Sequence, residues 1–121
     1  MLSGLPRSGS QVLSSILNQH PDIHSTVTSP IADLIGKIVP EWQQLSQSQL
    51  DPDIRQLHNI LHGVIQGAYK HVDKNVIVDK NRLWPRYGKL VSNVLGEKPK
   101  IICTVRNITE ILASYILLIE K

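Results

Sequence analysis

The sequence is poor in aromatic residues and in cysteine. It has no phenylalanine, two tryptophans and three tyrosines, so its hydrophobic core must consist mainly of isoleucine, leucine and valine. The single cysteine, Cys103, excludes an internal disulfide. The longest aliphatic run, residues 116–119, is far too short to cross a bilayer, and no secretory signal precedes the first motif. We therefore expect a cytoplasmic protein without a membrane partner.

The sequence also has only a small excess of positive over negative charge. The net charge is +3, and no dense run of lysine and arginine with interleaved aromatics is present. A nucleic-acid surface is therefore not expected, whereas a mildly basic protein suits a small anionic ligand. A hydrophobic content of 41% over 121 residues predicts one globular domain spanning residues 1–121.

Segments with the period of a helix alternate with short runs rich in β-branched residues. Strands are predicted over 75–79 and 100–105, and more weakly over 23–27, while 43–49 reads as a polar connection. The two stronger strands are continuously apolar, as in a parallel sheet covered on both faces. The pattern predicts an α/β fold, with a central parallel sheet flanked by helices in three layers. Helices are predicted over 10–19, 30–39, 52–72 (capped by Asp51), 85–95 (closed by Gly96) and 107–120.

The segment SGLPRSGSQVLSSILNQHPDI, residues 3–23, has the form of a phosphate-binding loop that leads into a helix. Gly4 and Gly9 have the spacing of the nucleoside-triphosphate loop, but Ser10 and Gln11 replace its Lys-Ser/Thr pair. Arg7 supplies positive charge inside the loop, and the first backbone amides of the helix can bind an anion. Only Met1 to Ser3 are available for the strand before the loop, so we expect a very short strand or missing upstream residues.

This segment resembles the 5′-phosphosulfate loop of sulfotransferases, whose pattern is roughly P-[KR]-[ST]-G-[ST]-T before a helix. It is most similar to the branch that holds the tyrosylprotein enzymes and many bacterial and phage members. The donor of that family is 3′-phosphoadenosine 5′-phosphosulfate (PAPS), and the fold is P-loop-like. The resemblance implies weaker donor binding where Gln11 replaces the usual threonine. It implies that the 5′-phosphosulfate is bound by Arg7, Ser8, Gly9, Ser10, Gln11 and Val12.

A second motif, IICTVRNITEILAS, covers residues 101–114. Arg106 follows the predicted strand, and Ser114 lies eight residues later. The resemblance implies that these two residues bind the 3′-phosphate of PAPS, with Arg106 and Arg7 converging on one edge of the sheet. The alternative for Arg106 is an ion pair with Glu110 at i+4.

Lys80 directly follows the predicted strand over 75–79. The resemblance implies that it approaches the bridging oxygen or the sulfuryl group of the donor. The alternative is a solvent-exposed lysine in a loop. The glutamate base of the tyrosylprotein branch has no counterpart here; His24 and Asp33 are the nearest titratable residues, and His24 is the predicted base.

Two further sequence features do not indicate a metal site or a reactive residue. His58 and His62 share a helix face, but without a third ligand they indicate a solvated edge rather than a metal site, and no metal is expected. Cys103 lies in the middle of a predicted strand, which predicts a buried, unreactive thiol.

Taken with the resemblance, these motifs predict a sulfotransferase. It would transfer a sulfuryl group from PAPS to a hydroxyl or amine of a small-molecule, carbohydrate or peptide acceptor, and release adenosine 3′,5′-bisphosphate (PAP). The alternatives are a small-molecule or nucleotide kinase with an aberrant loop, and a nucleotide-binding domain without activity. Members of the family usually continue beyond the second motif, so we expect the N-terminal part of a longer family fold. The acceptor and the oligomeric state stay open.

Overall fold

A computed structural model describes residues 1–120, in which short parallel strands alternate with helices. None of these helices combines the length and the apolar composition that crossing a membrane requires. The strands are β1 (Leu2–Gly4), β2 (Ile23–Ser25), β3 (Val76–Val78) and β4 (Ile102–Thr104). The helices are α1 (Ser10–Leu17), α2 (Ile31–Gln44), α3 (Ser46–Leu50), α4 (Ile54–Ala68), α5 (Trp84–Leu95) and α6 (Ile108–Ile119).

Strand β1 lies in the middle of the sheet. It pairs in parallel with β4, and β2 pairs in parallel with β3. A bridge between Leu2 and Lys80 joins the two pairs, supported by hydrogen bonds from Leu2 N to Asp79 O and from Asn81 N to Leu2 O. The strand order is therefore β2-β3-β1-β4. Helix α1 packs against β1 and β2, α5 packs against β1, and α2 and α5 both pack against α4, which confirms the predicted α/β fold with parallel strands flanked by helices.

The hydrophobic core lies between α2, α4 and α5. Trp84 is its largest fully buried side chain, and Leu61 is inaccessible to solvent. Apart from Trp84 the core is aliphatic, as the composition predicts. Its buried members are Ile31, Ala32, Ile35, Leu57, Leu61, Trp84, Val91 and Val94.

The strands are less covered than their apolar sequences predict. Val76, Ile77 and Ile102 are all more than one third exposed, and the Cys103 thiol is exposed rather than buried. Helix α1 has only eight residues and packs mainly against β1 and β2, so it covers little of β3 and β4. The prediction of coverage on both faces is therefore wrong for these residues.

Several helix boundaries differ from the sequence prediction: α1 ends at Leu17 rather than at residue 19, and α4 spans Ile54–Ala68 rather than residues 52–72. Asp53, not Asp51, caps α4, because its carboxylate accepts a hydrogen bond from Arg55 N. Helix α2 continues through Pro40 to Gln44, since Trp42 in its last turns packs against the core. Residues 46–50 then form α3 instead of a polar connection. Gly96, with φ 73°, closes α5 as predicted.

Candidate functional site

A cavity of about 490 Å³ opens at the carboxyl ends of the strands. Ligands of open α/β sheets bind at this edge, and the volume is that of a small-molecule site. The loop after β1, the segments after β2 and β3, and the start of α6 all contribute to it. The cavity is lined by Ser3, Gly4, Pro6, Arg7, Gly9, Ser10, Gln11, Val12, Thr28, Asp33, Lys80, Asn81, Arg82, Arg106 and Ser114.

The loop between β1 and α1 turns sharply through left-handed backbone conformations. Arg7 has φ 64°, which is rare for a residue with a side chain, and Gly9 has φ 92°. Gly9 is also the N-cap of α1 and provides no side-chain cap. The first amides of α1 therefore keep their hydrogen-bonding capacity for an anion.

A close contact between β1, the loop and β4 fixes the shape of the loop. Gly4 has φ 148°, and a Cβ atom there would lie 2.8 Å from Ser8 Oγ and 2.9 Å from the Thr104 carbonyl oxygen. Ser8 Oγ donates to Leu5 O at 2.5 Å and lies 2.7 Å from Thr104 Oγ1. The Ser8 hydroxyl thus braces the loop against β4, and Ser8 is the one predicted donor-binding residue of the loop that does not line the cavity.

The two motif arginines meet at the rim of the cavity. Arg106 Nη1 donates to the Arg7 carbonyl oxygen at 3.2 Å, and Arg7 Nε donates to Ser114 Oγ at 2.9 Å. Arg106 Nε also pairs with Glu110 at 2.8 Å, the alternative predicted for it. The pair is solvent-exposed, so it stabilises little, and Arg106 Nη2 stays available to a ligand. The structure therefore brings Arg7, Arg106 and Ser114 together.

Lys80 lines the opposite side of the cavity. Its Nζ donates to Val27 O at 2.7 Å, and its backbone N donates to Thr26 Oγ1 at 2.8 Å. Burial lowers the pKa of the Lys80 ammonium from its ordinary value. The ammonium is thus held at the cavity wall rather than free in a surface loop.

Sequence reasoning missed the buried carboxylate of Asp79, which immediately precedes Lys80. Asp79 is only 6% exposed and accepts hydrogen bonds from Trp84 Nε1 at 2.7 Å, from Ser29 Oγ at 2.6 Å and from the Tyr69 hydroxyl. Burial and the bond to Asp79 raise the pKa of Tyr69. Through these hydrogen bonds, the starts of α2 and α5 and the end of α4 are connected to the end of β3. The sequence feature that could have identified Asp79 is its position as a polar residue at the end of an otherwise apolar strand.

A second carboxylate, Asp33, lines the cavity itself, whereas Asp79 does not. Asn81 Nδ2 donates to Asp33 Oδ2 at 2.6 Å and to Ser29 O at 2.6 Å, while Asn81 Oδ1 accepts from Leu83 N. Asp33 is therefore oriented from the first turn of α2. The predicted base, His24, lies beside Tyr69 with 6.2 Å between ring centroids, and it is not a lining residue.

Comparison with known proteins gives one match. The sequence model of the Sulfotransferase family matches residues 1–121, the whole chain. No curated protein matches it. No solved structure matches it either.

Proposed function

Because the chain belongs to the sulfotransferase family, we propose that it binds PAPS in the cavity and transfers the sulfuryl group to a hydroxyl or amine. The observation that carries the proposal is the convergence of Arg7 and Arg106, with Arg106 Nη1 only 3.2 Å from the Arg7 carbonyl oxygen. Because the Arg106 guanidinium contacts the backbone of the loop that carries Arg7, and Arg7 Nε bonds to Ser114, both arginines can reach the anionic groups of one adenosine donor. The proposal includes PAPS as the donor and the branch that holds the tyrosylprotein enzymes and many bacterial and phage members.

The 5′-phosphosulfate binds at the first turn of α1. Amides from Gly9 onward and the positive end of the helix dipole face this position, and the Ser10 hydroxyl and the Gln11 amide line it. Arg7 adds a permanent positive charge. The 3′-phosphate binds between Arg106 and Ser114, where it replaces the hydrogen bond between Arg7 and Ser114.

Transfer then follows an in-line displacement. The acceptor oxygen or nitrogen forms a bond to sulfur while the bond from sulfur to the 5′-phosphate oxygen breaks, and that oxygen leaves with the electron pair. Negative charge therefore grows on the leaving phosphate, as in phosphoryl transfer. Lys80 and Arg7 stabilise this charge. The products are the sulfated acceptor and PAP.

Asp33 is the group we assign to the acceptor's proton, in place of His24. When a hydroxyl attacks, its O–H bond breaks, the proton passes to the Asp33 carboxylate, and the oxygen electrons form the bond to sulfur. The protonated carboxyl then releases the proton to solvent. Support comes from the position of Asp33 in the cavity and from the hydrogen bond that Asn81 donates to it.

The test compares PAP with ATP by thermal unfolding, each with Mg²⁺ and with EDTA. PAP at a hundredfold excess over its dissociation constant should stabilise the fold by ~2.7 kcal/mol, with or without EDTA. Arg7→Ala and Arg106→Ala should each remove most of this effect, whereas Lys89→Ala, an exposed position on α5 outside the cavity, should keep it.

Two outcomes favour the alternatives. Stabilisation by ATP with Mg²⁺ but not by PAP indicates a kinase. PAP binding without transfer of labelled sulfuryl to any acceptor in a broad panel indicates a binding domain without activity.

A further inference from the structure

One half of the cavity lies away from the proposed contacts to the 3′-phosphate of the donor, and this inference rests on the proposed function. Strand β1 and its loop lie at the centre of the sheet, and Arg106 and Ser114 lie on the β4 side. The donor therefore extends from the loop toward β4. The opposite half, beyond β1, belongs to the segments after β2 and β3, and an acceptor must approach the sulfuryl group from there.

This acceptor half carries a cation that the proposed chemistry does not use. Arg82 lines the cavity in the turn between Asn81 and α5, and its backbone is fixed by a hydrogen bond from Ser3 Oγ to Arg82 O at 3.2 Å. Within residues 1–120 the ion pairs are Arg55 with Asp53 and Arg106 with Glu110, so Arg82 has no carboxylate partner there. Arg82 is exposed to solvent as well as lining the cavity.

The neighbouring carboxylate does not neutralise this guanidinium. Asp33 Oδ2 is bonded to Asn81 Nδ2 at 2.6 Å, and no ion pair joins it to Arg82. Lys80 also contributes positive charge to this half, although its ammonium is bonded to Val27 O. The acceptor half thus has two cations and one carboxylate, and the more exposed cation is the one built for bidentate contact with a carboxylate, sulfate or phosphate.

We propose that Arg82 selects acceptors that carry an anionic group beside the hydroxyl to be sulfated. A guanidinium at this position can bind a carboxylate or sulfate of the acceptor in bidentate fashion. It also offsets the repulsion that Asp33 would otherwise exert on an anionic molecule. Arg82 is thus a specificity-determining residue rather than a catalytic one.

The test uses protein saturated with PAP, so that the donor half is filled. The probes are p-nitrophenyl β-D-glucuronide and p-nitrophenyl β-D-glucoside, which differ in having a carboxylate or a hydroxymethyl group, and binding is measured by calorimetry or ligand-observed NMR. The glucuronide should bind about tenfold more tightly, the fold-change that corresponds to one charge-assisted contact. Arg82→Ala should abolish the preference, Arg82→Lys should keep part of it, and Arg86→Ala, an exposed arginine outside the cavity, should leave it unchanged.

Equal binding of the two probes, including no binding of either, would overturn the assignment. So would an Arg82→Ala variant that loses as much affinity for PAP as for the glucuronide, since Arg82 would then belong to the donor half. PAP binding is measured first and alone. Its absence refutes the proposed function together with this inference, whereas intact PAP binding without a glucuronide preference refutes only the role of Arg82.

Discussion

The region around β3 and the region of β4 and α6 differ in how tightly their side chains are packed. Around β3, the residues under the cavity belong to a dense core in which Leu61 is 0% and Trp84 is 1% exposed. In α6, which follows β4, only Ile111 is buried, while Leu117 is 64% and Ile119 is 82% exposed. The residues assigned to the acceptor thus stand on a firm framework, and Arg106 and Ser114 stand on a thinly packed one.

A matched pair of leucines measures this difference, and we expect the largest effect here. Leu61→Ala removes a fully buried side chain of α4 and should lower the free energy of unfolding by about 2–5 kcal/mol. Leu117→Ala in α6 should change it by less than about 0.5 kcal/mol, since the side chain is already in solvent. Urea denaturation gives both values. Similar losses for the two variants would show that α6 is as tightly packed as the core.

A pair of glycines tests the contact that joins the two parts. Gly4→Ala places a Cβ against Ser8 and Thr104, so we expect a loss of about 1–3 kcal/mol in unfolding free energy. Gly63→Ala, in the interior of α4, meets open space and should stabilise the protein by about 0.5–1 kcal/mol. The same denaturation experiment measures both. A Gly4→Ala variant as stable as the original protein would mean that the loop is not braced against β4.

Tyr69 provides a pH-dependent test of the firm side. Its pKa is raised in the folded state, so its contribution to stability is complete below the ordinary tyrosine pKa of about 10 and declines as the pH rises further. Tyr69→Phe removes one donor to Asp79 and should cost about 1–3 kcal/mol at pH 7. The difference between the original protein and Tyr69→Phe should narrow above pH 10. Tyr115→Phe, on α6, serves as the control, and a constant difference from pH 7 to 11 would contradict the role of Tyr69.

The smallest effect is expected for the exposed ion pair of Arg106. Glu110→Gln removes a solvent-exposed contact in the first turn of α6, so unfolding free energy should fall by less than about 1 kcal/mol. PAP binding should be unchanged or slightly tighter, because a carboxylate near the 3′-phosphate is lost. Calorimetry checks this, and a large loss of PAP affinity would show that Glu110 is needed to orient Arg106.

The order of elements was predictable from the sequence because local patterns specify it. The apolar stripe of α4 and Gly96 after α5 need no distant partner to be recognised. What the sequence could not specify is how much each strand is covered, because that depends on the helices packed on it. The exposed thiol of Cys103 follows from this, and so does the continuation of α2 past Pro40, where packing of Trp42 outweighs a local helix breaker.

Where the candidate site consists of contiguous motifs, the sequence indicated which segments line the cavity, while the roles of their residues stay predictions. The loop with Arg7 and the pair Arg106 and Ser114 are encoded by short spacings, and the structure places all three on one rim. Asp33 on α2 and Arg82 after β3 are far apart in the chain, and the hydrogen bond from Asn81 Nδ2 to Asp33 Oδ2 connects their two segments at the cavity. No residue spacing in the sequence indicates that these two residues line the same cavity.

The most direct test of the account is the affinity of the protein and of Arg106→Ala for PAP and for adenosine 5′-monophosphate, which lacks the 3′-phosphate. We expect the original protein to bind PAP at least tenfold more tightly than the monophosphate, since one charge-assisted contact is worth about 1.5–3 kcal/mol. Arg106→Ala should bind both ligands equally and weakly, while Arg7→Ala should lose affinity for both. If the original protein does not distinguish the two ligands, or if Arg106→Ala still prefers PAP, the two arginines do not bind opposite ends of one donor.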